Sequence, residues 1–415
     1  MNEDTRKPYW VRLPRIDLRD CVIFVSRSCA RDEEARETDG ELAAILEEQH
    51  NQDFKGKSLV GELPTPFWRV VVVLGEEDKI SSSLQICFIF HHALADTISG
   101  LAFHRSLLSA LLRQEKVGTV DDEVAHEINM VQTPDLPLLP PLEDLHPLPL
   151  SFRCIWNEAK ATLFPESTSG LWAGAPVPAV VIPNNYKTRF QFFTVAQTTT
   201  SRFVAICRAN DATVTSTLQL LIADALFAQI PSYLTTLNVE SAISFRRFLD
   251  PEMINDDSMG CFVSRYLYSH QRKSDSAEPI DHFTWGESRR IRKTIEAELE
   301  KDGRDNIIGM SRFIFSHNHF FKSMAGKPRE TSFELSNVGI FKAREKEKES
   351  DWGIGRIVFS QSADITGAAF EISVVTGNDE SLSIGFSWFS EIVEDGVIEK
   401  MIMLLKEMIR RITGE

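Results

Sequence analysis

The chain has 415 residues, 43% of them hydrophobic and 25% charged, with a formal net charge of -15. That length is too great for one ordinary core, so two domains are expected, with the composition of a soluble globular protein. An acidic balance with no basic stripe argues against a nucleic-acid binder, and no apolar run is long enough to span a bilayer. Met1 to Lys7 is charged and lacks a signal-peptide core, which points to the cytosol.

Trp10 to Val25, Trp68 to Leu74 and Leu84 to Phe90 predict strands. The second contains Val70-Val71-Val72-Val73, and a run that apolar fits a strand covered on both faces. From Thr97 the period changes: Ile98, Leu101, Leu108 and Leu112 recur near helical spacing. Six prolines between Pro134 and Pro149 interrupt Gln114 to Leu150, which predicts an extended crossover between halves. A second break falls at Ala173 to Pro178.

The second half resumes the alternation. Strands are expected at Phe190–Val195, Glu240–Phe245, Ser332–Asn337, Arg356–Ser360, Ala368–Val375 and Ser381–Trp388. Thr215 to Gln229 reads as a buried helix, Trp285 to Lys301 as a charged exposed one, and Val397 to Ile412 as an amphipathic one. Lys342 to Glu349 is a charge run expected in a solvated loop. The pattern is mixed α/β, with two layers per domain. The six cysteines are scattered; Cys87, Cys207 and Cys261 sit among apolar neighbours and read as small core residues of a reducing compartment.

His91-His92-Ala93-Leu94-Ala95-Asp96 closes the apolar run Leu84 to Phe90 and opens the helical pattern. An imidazole titrates nearest neutrality, so a histidine at a strand end, with a carboxylate four residues on to orient it, suits proton removal from a hydroxyl or amine. The plain alternatives are structural histidines and an Asp96 that merely caps the helix. A zinc site would need a third ligand, and adjacent strand histidines point apart; His317-Asn318-His319 is too weak alone, so no metal is expected.

This segment, with Ile98-Ser99-Gly100-Leu101 through Leu108, resembles the fungal alcohol acetyltransferase-like family. That family belongs with chloramphenicol acetyltransferase, the plant BAHD acyltransferases and peptide-synthetase condensation domains. Phe67-Trp68-Arg69-Val70, Leu171-Trp172-Ala173-Gly174-Ala175-Pro176, Thr213-Val214-Thr215, Phe245-Arg246-Arg247-Phe248-Leu249, Leu335-Ser336-Asn337-Val338-Gly339 and Phe359-Ser360-Gln361-Ser362-Ala363 resemble family blocks in family order. The resemblance implies two chloramphenicol-acetyltransferase-like α/β subdomains, 1–170 carrying the motif and 171–415, with a tunnel between them. Acyl-coenzyme A enters from one face and the acceptor from the other.

The resemblance assigns the chemistry to His92 and Asp96 and turns Asp96 toward Arg246, with His91 in support. Family members usually carry glycine where this chain has Thr97, which puts substrate preference in doubt. Ser336 and Asn337 are expected to shape the tunnel first and to hold an oxyanion second; Gln361 and Ser362 are rivals for the oxyanion. Thr213, Thr215 and Ser216 are candidates for contact with coenzyme A, against a reading as helix caps. The expected protein is a monomeric acyl-coenzyme A-dependent O-acyltransferase, acetyl being the expected acyl group, acting on an alcohol of a fungal secondary metabolite. Its rivals are a coenzyme A-independent condensation or cyclisation enzyme and a non-catalytic metabolite-binding protein.

Overall fold

The computed structural model describes residues 11–27, 37–54, 65–75, 84–115, 129–164, 169–180, 185–273, 283–342 and 352–415. In chain order the first half forms β1 (Arg15–Asp17), β2 (Val22–Ser26), α1 (Gly40–His50), β3 (Trp68–Leu74), β4 (Gln85–Phe90), α2 (Thr97–Glu115), β5 (Met130–Gln132), α3 (Leu142–Leu145) and α4 (Phe152–Leu163). The second forms β6 (Thr188–Val195), α5 (Gln197–Ala209), α6 (Val214–Phe227), β7 (Thr236–Ser244), β8 (Val263–Gln271), α7 (Trp285–Glu300), α8 (Ile307–Ser311) and α9 (His317–Ser323). It ends with β9 (Phe333–Ile340), β10 (Phe370–Thr376), β11 (Leu382–Phe389) and α10 (Asp395–Thr413).

Each sheet draws its strands from one half. The valine run places β3 at the centre of a three-stranded sheet, parallel to β2 and antiparallel to β4. A six-stranded sheet in the second half has the order β6-β11-β10-β9-β7-β8. Its apolar face is covered by helices: α6 is buried at every position from Ser216 to Phe227, and α10 brings Met401, Leu405 and Met408 against the same core. Helix α1 sits between the sheets, with Leu42 and Leu46 on Phe190 and Phe192 of β6 and Ile45 on Val71 and Val73 of β3.

Several sequence expectations change. Trp10 to Val25 is not one strand, because Asp17 accepts a hydrogen bond from Arg19 N (3.0 Å) and caps a short turn between β1 and β2. Arg356 to Ser360 is not a strand: it joins no sheet and passes over β11, where a Cβ on Gly385 would stand 2.9 Å from the Phe190 ring and 3.1 Å from the Phe359 carbonyl, so the small residue gives it room to lie close. Helices α1, α4 and α5 and strand β8 were not expected. The crossover is described from residue 129, where β5 pairs with β1; residues 116–128 and the charge run from 343 to 349 lie outside the described residues.

The second face of the large sheet carries an unexpected row of carboxylates. Glu240, Glu334 and Glu371 stand in register on the adjacent strands β7, β9 and β10. Arg265 and Thr331 bond Glu240, and the Gln361 amide donates to Glu371 at 3.2 Å. Burial, then the charge of Glu240, pushes the Glu334 carboxyl up to about 7; burial, then Glu334, pushes Glu371 well above its usual range. A folded pKa above the unfolded one means that the unfolded chain releases its proton first. Stability from Glu334 is therefore present below about pH 4.5 and is lost as pH rises towards 7. Glu334→Gln is expected to raise the melting temperature at pH 7.5 by roughly a few degrees, with the gain gone at pH 4.5. A gain equal at both pH values in calorimetry would show that charge is not its cause.

Candidate active site

Strand β4 ends at Phe90, and the chain turns through His91 and His92 into α2. His91 N donates to Phe67 O at the end of the β3 side (2.9 Å), and Leu94 N donates to His91 O (2.9 Å). The His91 ring stands edge-on to Phe54 and Phe67, with centroids 6.1 and 5.7 Å away, and its Nδ1 accepts from Ala93 N at 3.1 Å. Burial, then the neighbouring His92, lowers its pKa, which keeps Nδ1 an acceptor. His91 therefore holds the turn. His92 is exposed, and its Nδ1 faces the Cys261 sulfur at 3.9 Å.

Asp96 turns away from His92 into the protein. Its Oδ2 accepts from Arg246 Nη1 (2.5 Å) and Phe262 N (3.0 Å); its Oδ1 accepts from Ser99 N (3.1 Å), with Ser99 Oγ 3.0 Å away. It caps α2 and pairs with Arg246 at once, so the two readings of this residue describe one geometry. The pair is buried, at 4% and 6% side-chain exposure for Arg246 and Asp96. Arg246 is held by further bonds: Nε donates to Asn255 O (3.2 Å), Nη2 donates to Ser258 O (3.0 Å) and Ser99 Oγ (3.2 Å), and the guanidinium lies over Phe262. A buried ion pair holds its place when further hydrogen bonds satisfy its partners, as these bonds do. The loop is also clasped by backbone, since Asp96 N donates to Gly260 O (3.1 Å).

Gly260 and Phe262 are thus each bonded to Asp96, and this fixes Cys261 between them under His92. The expectation of a core cysteine is wrong at this position: Cys261 is exposed. Surrounding protein, then the Asp96 charge, pushes its thiol up to about 11, so it stands as a thiol and not as a nucleophilic thiolate. Iodoacetamide should react slowly at pH 7 and faster with each pH unit, and the adduct should block His92. Peptide mapping against residual activity, with Cys261→Ala as control, tests this; full activity of the carbamidomethyl protein would refute it.

A cavity of about 740 Å³ opens behind the motif, walled by Ile98, Thr213, Thr215, Ser244, Arg246, Arg247, Tyr266 and Asn337 among others, but not by His92. Thr213 and Thr215 reach it. Ser216 does not: it is fully buried, and its hydroxyl closes a capping box with Thr213 and meets Ser288 (3.2 Å). Asn337 donates to Thr215 Oγ1 (3.0 Å) and accepts from Gly339 N (2.9 Å). Ser336, one residue earlier on the strand, faces the other side of the sheet, so the two do not act together. Gln361 is committed to Glu371, and Ser362 is exposed; among the described residues no hydrogen bond joins any of these four to His92. Thr97 does not have a positive φ, so glycine is not required in its place, and the side chain that reaches the cavity from this turn is Ile98.

Residues 47–409 match the family model described as alcohol acetyltransferase. The chain belongs to the alcohol acetyltransferase family. A probable alcohol acetyltransferase of Aspergillus fumigatus, crmB, is 33% identical over 410 residues, covering 97% of this chain and 84% of the relative. Another, FCK4 of Fusarium pseudograminearum, is 22% identical, covering 96% of this chain and 79% of its own. Among solved structures, the TRI3 trichothecene 15-O-acetyltransferase of Fusarium sporotrichioides superposes with a TM-score of 0.61 at 12% identity, over 94% of this chain and 77% of that one. The family makes the protein an acyltransferase, and the fold is the two-subdomain α/β architecture shared by acyltransferases and condensation domains.

Membership implies an acyl-coenzyme A co-substrate and an alcohol. Among the described residues no cluster of histidine, cysteine or carboxylate side chains has the arrangement of a metal site, and no helix is long and apolar enough to cross a membrane. Sequence reasoning missed Ser99 and Cys261. Ser99 carried a usable signal, a hydroxyl three residues after a capping aspartate; Cys261, 169 residues from His92, carried none.

Proposed function

We propose that the protein transfers an acetyl group from acetyl-coenzyme A to the hydroxyl of a small-molecule alcohol, with His92 as general base. What carries the reading is the exposed His92 ring on a turn made rigid from behind by the Asp96–Arg246 pair. With Nδ1 against Cys261, Nε2 is the nitrogen left to meet the acceptor. The alcohol oxygen attacks the thioester carbonyl as its proton passes to Nε2. The tetrahedral intermediate then collapses, the C–S bond breaks, and His92 returns the proton to the departing thiolate. Holding base, donor and acceptor together supplies much of the rate, and no acyl-enzyme is needed.

In this reading the subdomains meet near residue 170, their interface forms the substrate tunnel, and a cytosolic monomer is the working unit. The cavity behind the motif receives coenzyme A, with Thr213, Thr215 and Arg247 as its polar wall. The test is incubation with acetyl-coenzyme A and a panel of alcohols, followed by thiol release and mass spectrometry. Free thiol and acetyl ester should appear in equal amounts. A chain that converts a metabolite without consuming coenzyme A would be a condensation or cyclisation enzyme, and one that only binds it would be a pocket protein.

A further inference from the structure

Helix α4 is amphipathic and, among the described residues, has almost nothing beneath it. Phe152, Trp156 and Leu163 lie on one face at 80%, 62% and 72% exposure, the first two rings stacked at 6.4 Å. Beyond Cys154 every described residue of the helix is exposed. Twelve residues are too few to hold a helix in water on propensity alone, so this face requires a cover. A second apolar segment emerges beside it, where Phe313, Phe315 and Phe321 are 54%, 94% and 50% exposed. The two share a root: the Ser151 backbone N–H and hydroxyl donate to Asp305 (2.6 and 2.9 Å), and Arg312 donates to Pro147 O (2.9 Å).

We propose that this aromatic face docks on an anionic lipid surface. The charge pattern selects the occupant. In a chain of net charge -15, residues 306–328 contain no aspartate or glutamate but three exposed cations, Arg312, Lys322 and Lys327, and α4 adds Arg153 and Lys160 against Glu158. Aromatic side chains rimmed by basic ones are the pattern of a helix lying in the headgroup region, where rings enter the acyl boundary and long cations meet lipid phosphates. A second copy of the chain would set the same cations against each other, which disfavours a symmetric dimer through this face. The surface lies outside the site around His92 and does not depend on the reading of that site.

The full chain should co-sediment with vesicles of phosphatidylcholine and phosphatidylserine at 70:30. Binding should fall at least tenfold on pure phosphatidylcholine and strongly at 500 mM salt, because screening removes the electrostatic part. The double variant Trp156→Glu/Phe315→Glu should lose lipid binding while keeping its melting temperature and its lipid-free activity, since both side chains already face water. Equal binding to both vesicle types, or none, overturns the proposal. So does a dimer in light scattering that the double variant dissolves, which would make the face a subunit interface. Loss of lipid-free activity in that variant would make it a lid, and would overturn it too.

Discussion

His92→Ala is expected to lower turnover by about two to four orders of magnitude, the span associated with loss of a general base. Its melting temperature should move little, because the ring is exposed and its one described polar contact is a 3.9 Å approach to sulfur. His91→Ala should show the opposite signature. That ring packs on Phe54 and Phe67 and takes the Ala93 N–H, so its removal loosens the turn and reduces stability more than it reduces chemistry. Steady-state kinetics and thermal melts on both variants separate the roles. Equal loss of activity with both folds intact would mean that the second histidine is not the base.

How much was legible depended on how local the cause was. The β3 valines, the continuous apolar face of α6 and the heptad-like stripe of α10 each state their burial within one segment, and strands or helices formed there. Strand β8 was illegible because it is an edge: Ser264, Tyr266 and His270 point inward while Arg265 and Leu267 face out, leaving no apolar run. Helix α1 has Leu42, Ile45, Leu46 and Gln49 at helical spacing, but it is only three turns long and one of those buried positions is a glutamine. Arg356 to Ser360 misled in the other direction, since its apolar residues cover β11 without pairing to any strand.

The site shows the same division. The order of strand, histidines, aspartate and helix is readable because a turn and a cap are short-range devices. Family resemblance carried Arg246, which stands 150 residues from its partner and has no local signal. The Gly260–Cys261–Phe262 clasp was beyond reach, because nothing around Cys261 distinguishes a thiol under an imidazole from a thiol in a core. Ser216 shows the limit of the cap-or-ligand choice: the sequence places it at a helix start, and only burial settles that its hydroxyl is spent inside the protein.

The Asp96–Arg246 pair yields the largest expected loss of stability. Asp96→Ala strands a guanidinium that is 4% exposed, and Arg246→Ala strands a carboxylate that still has Ser99 and Phe262 but no countercharge. Removing one member of a buried pair costs about 3–5 kcal/mol, most of it from the charge left behind. The double variant leaves no stranded charge, so it should lose markedly less than the sum of the singles, by an interaction energy of about 0.5–3 kcal/mol. Turnover should fall in all three, because the pair anchors the turn on which His92 rides and the Asp96 carboxylate also takes the Phe262 N–H and caps α2. Asp96→Asn separates the effects: it keeps a cap acceptor and loses the charge, so activity should recover further than stability does. Urea unfolding of the four proteins with kinetics on each decides the matter. Strict additivity would show that Arg246 does not hold Asp96, and the turn would then be fixed by the cap alone.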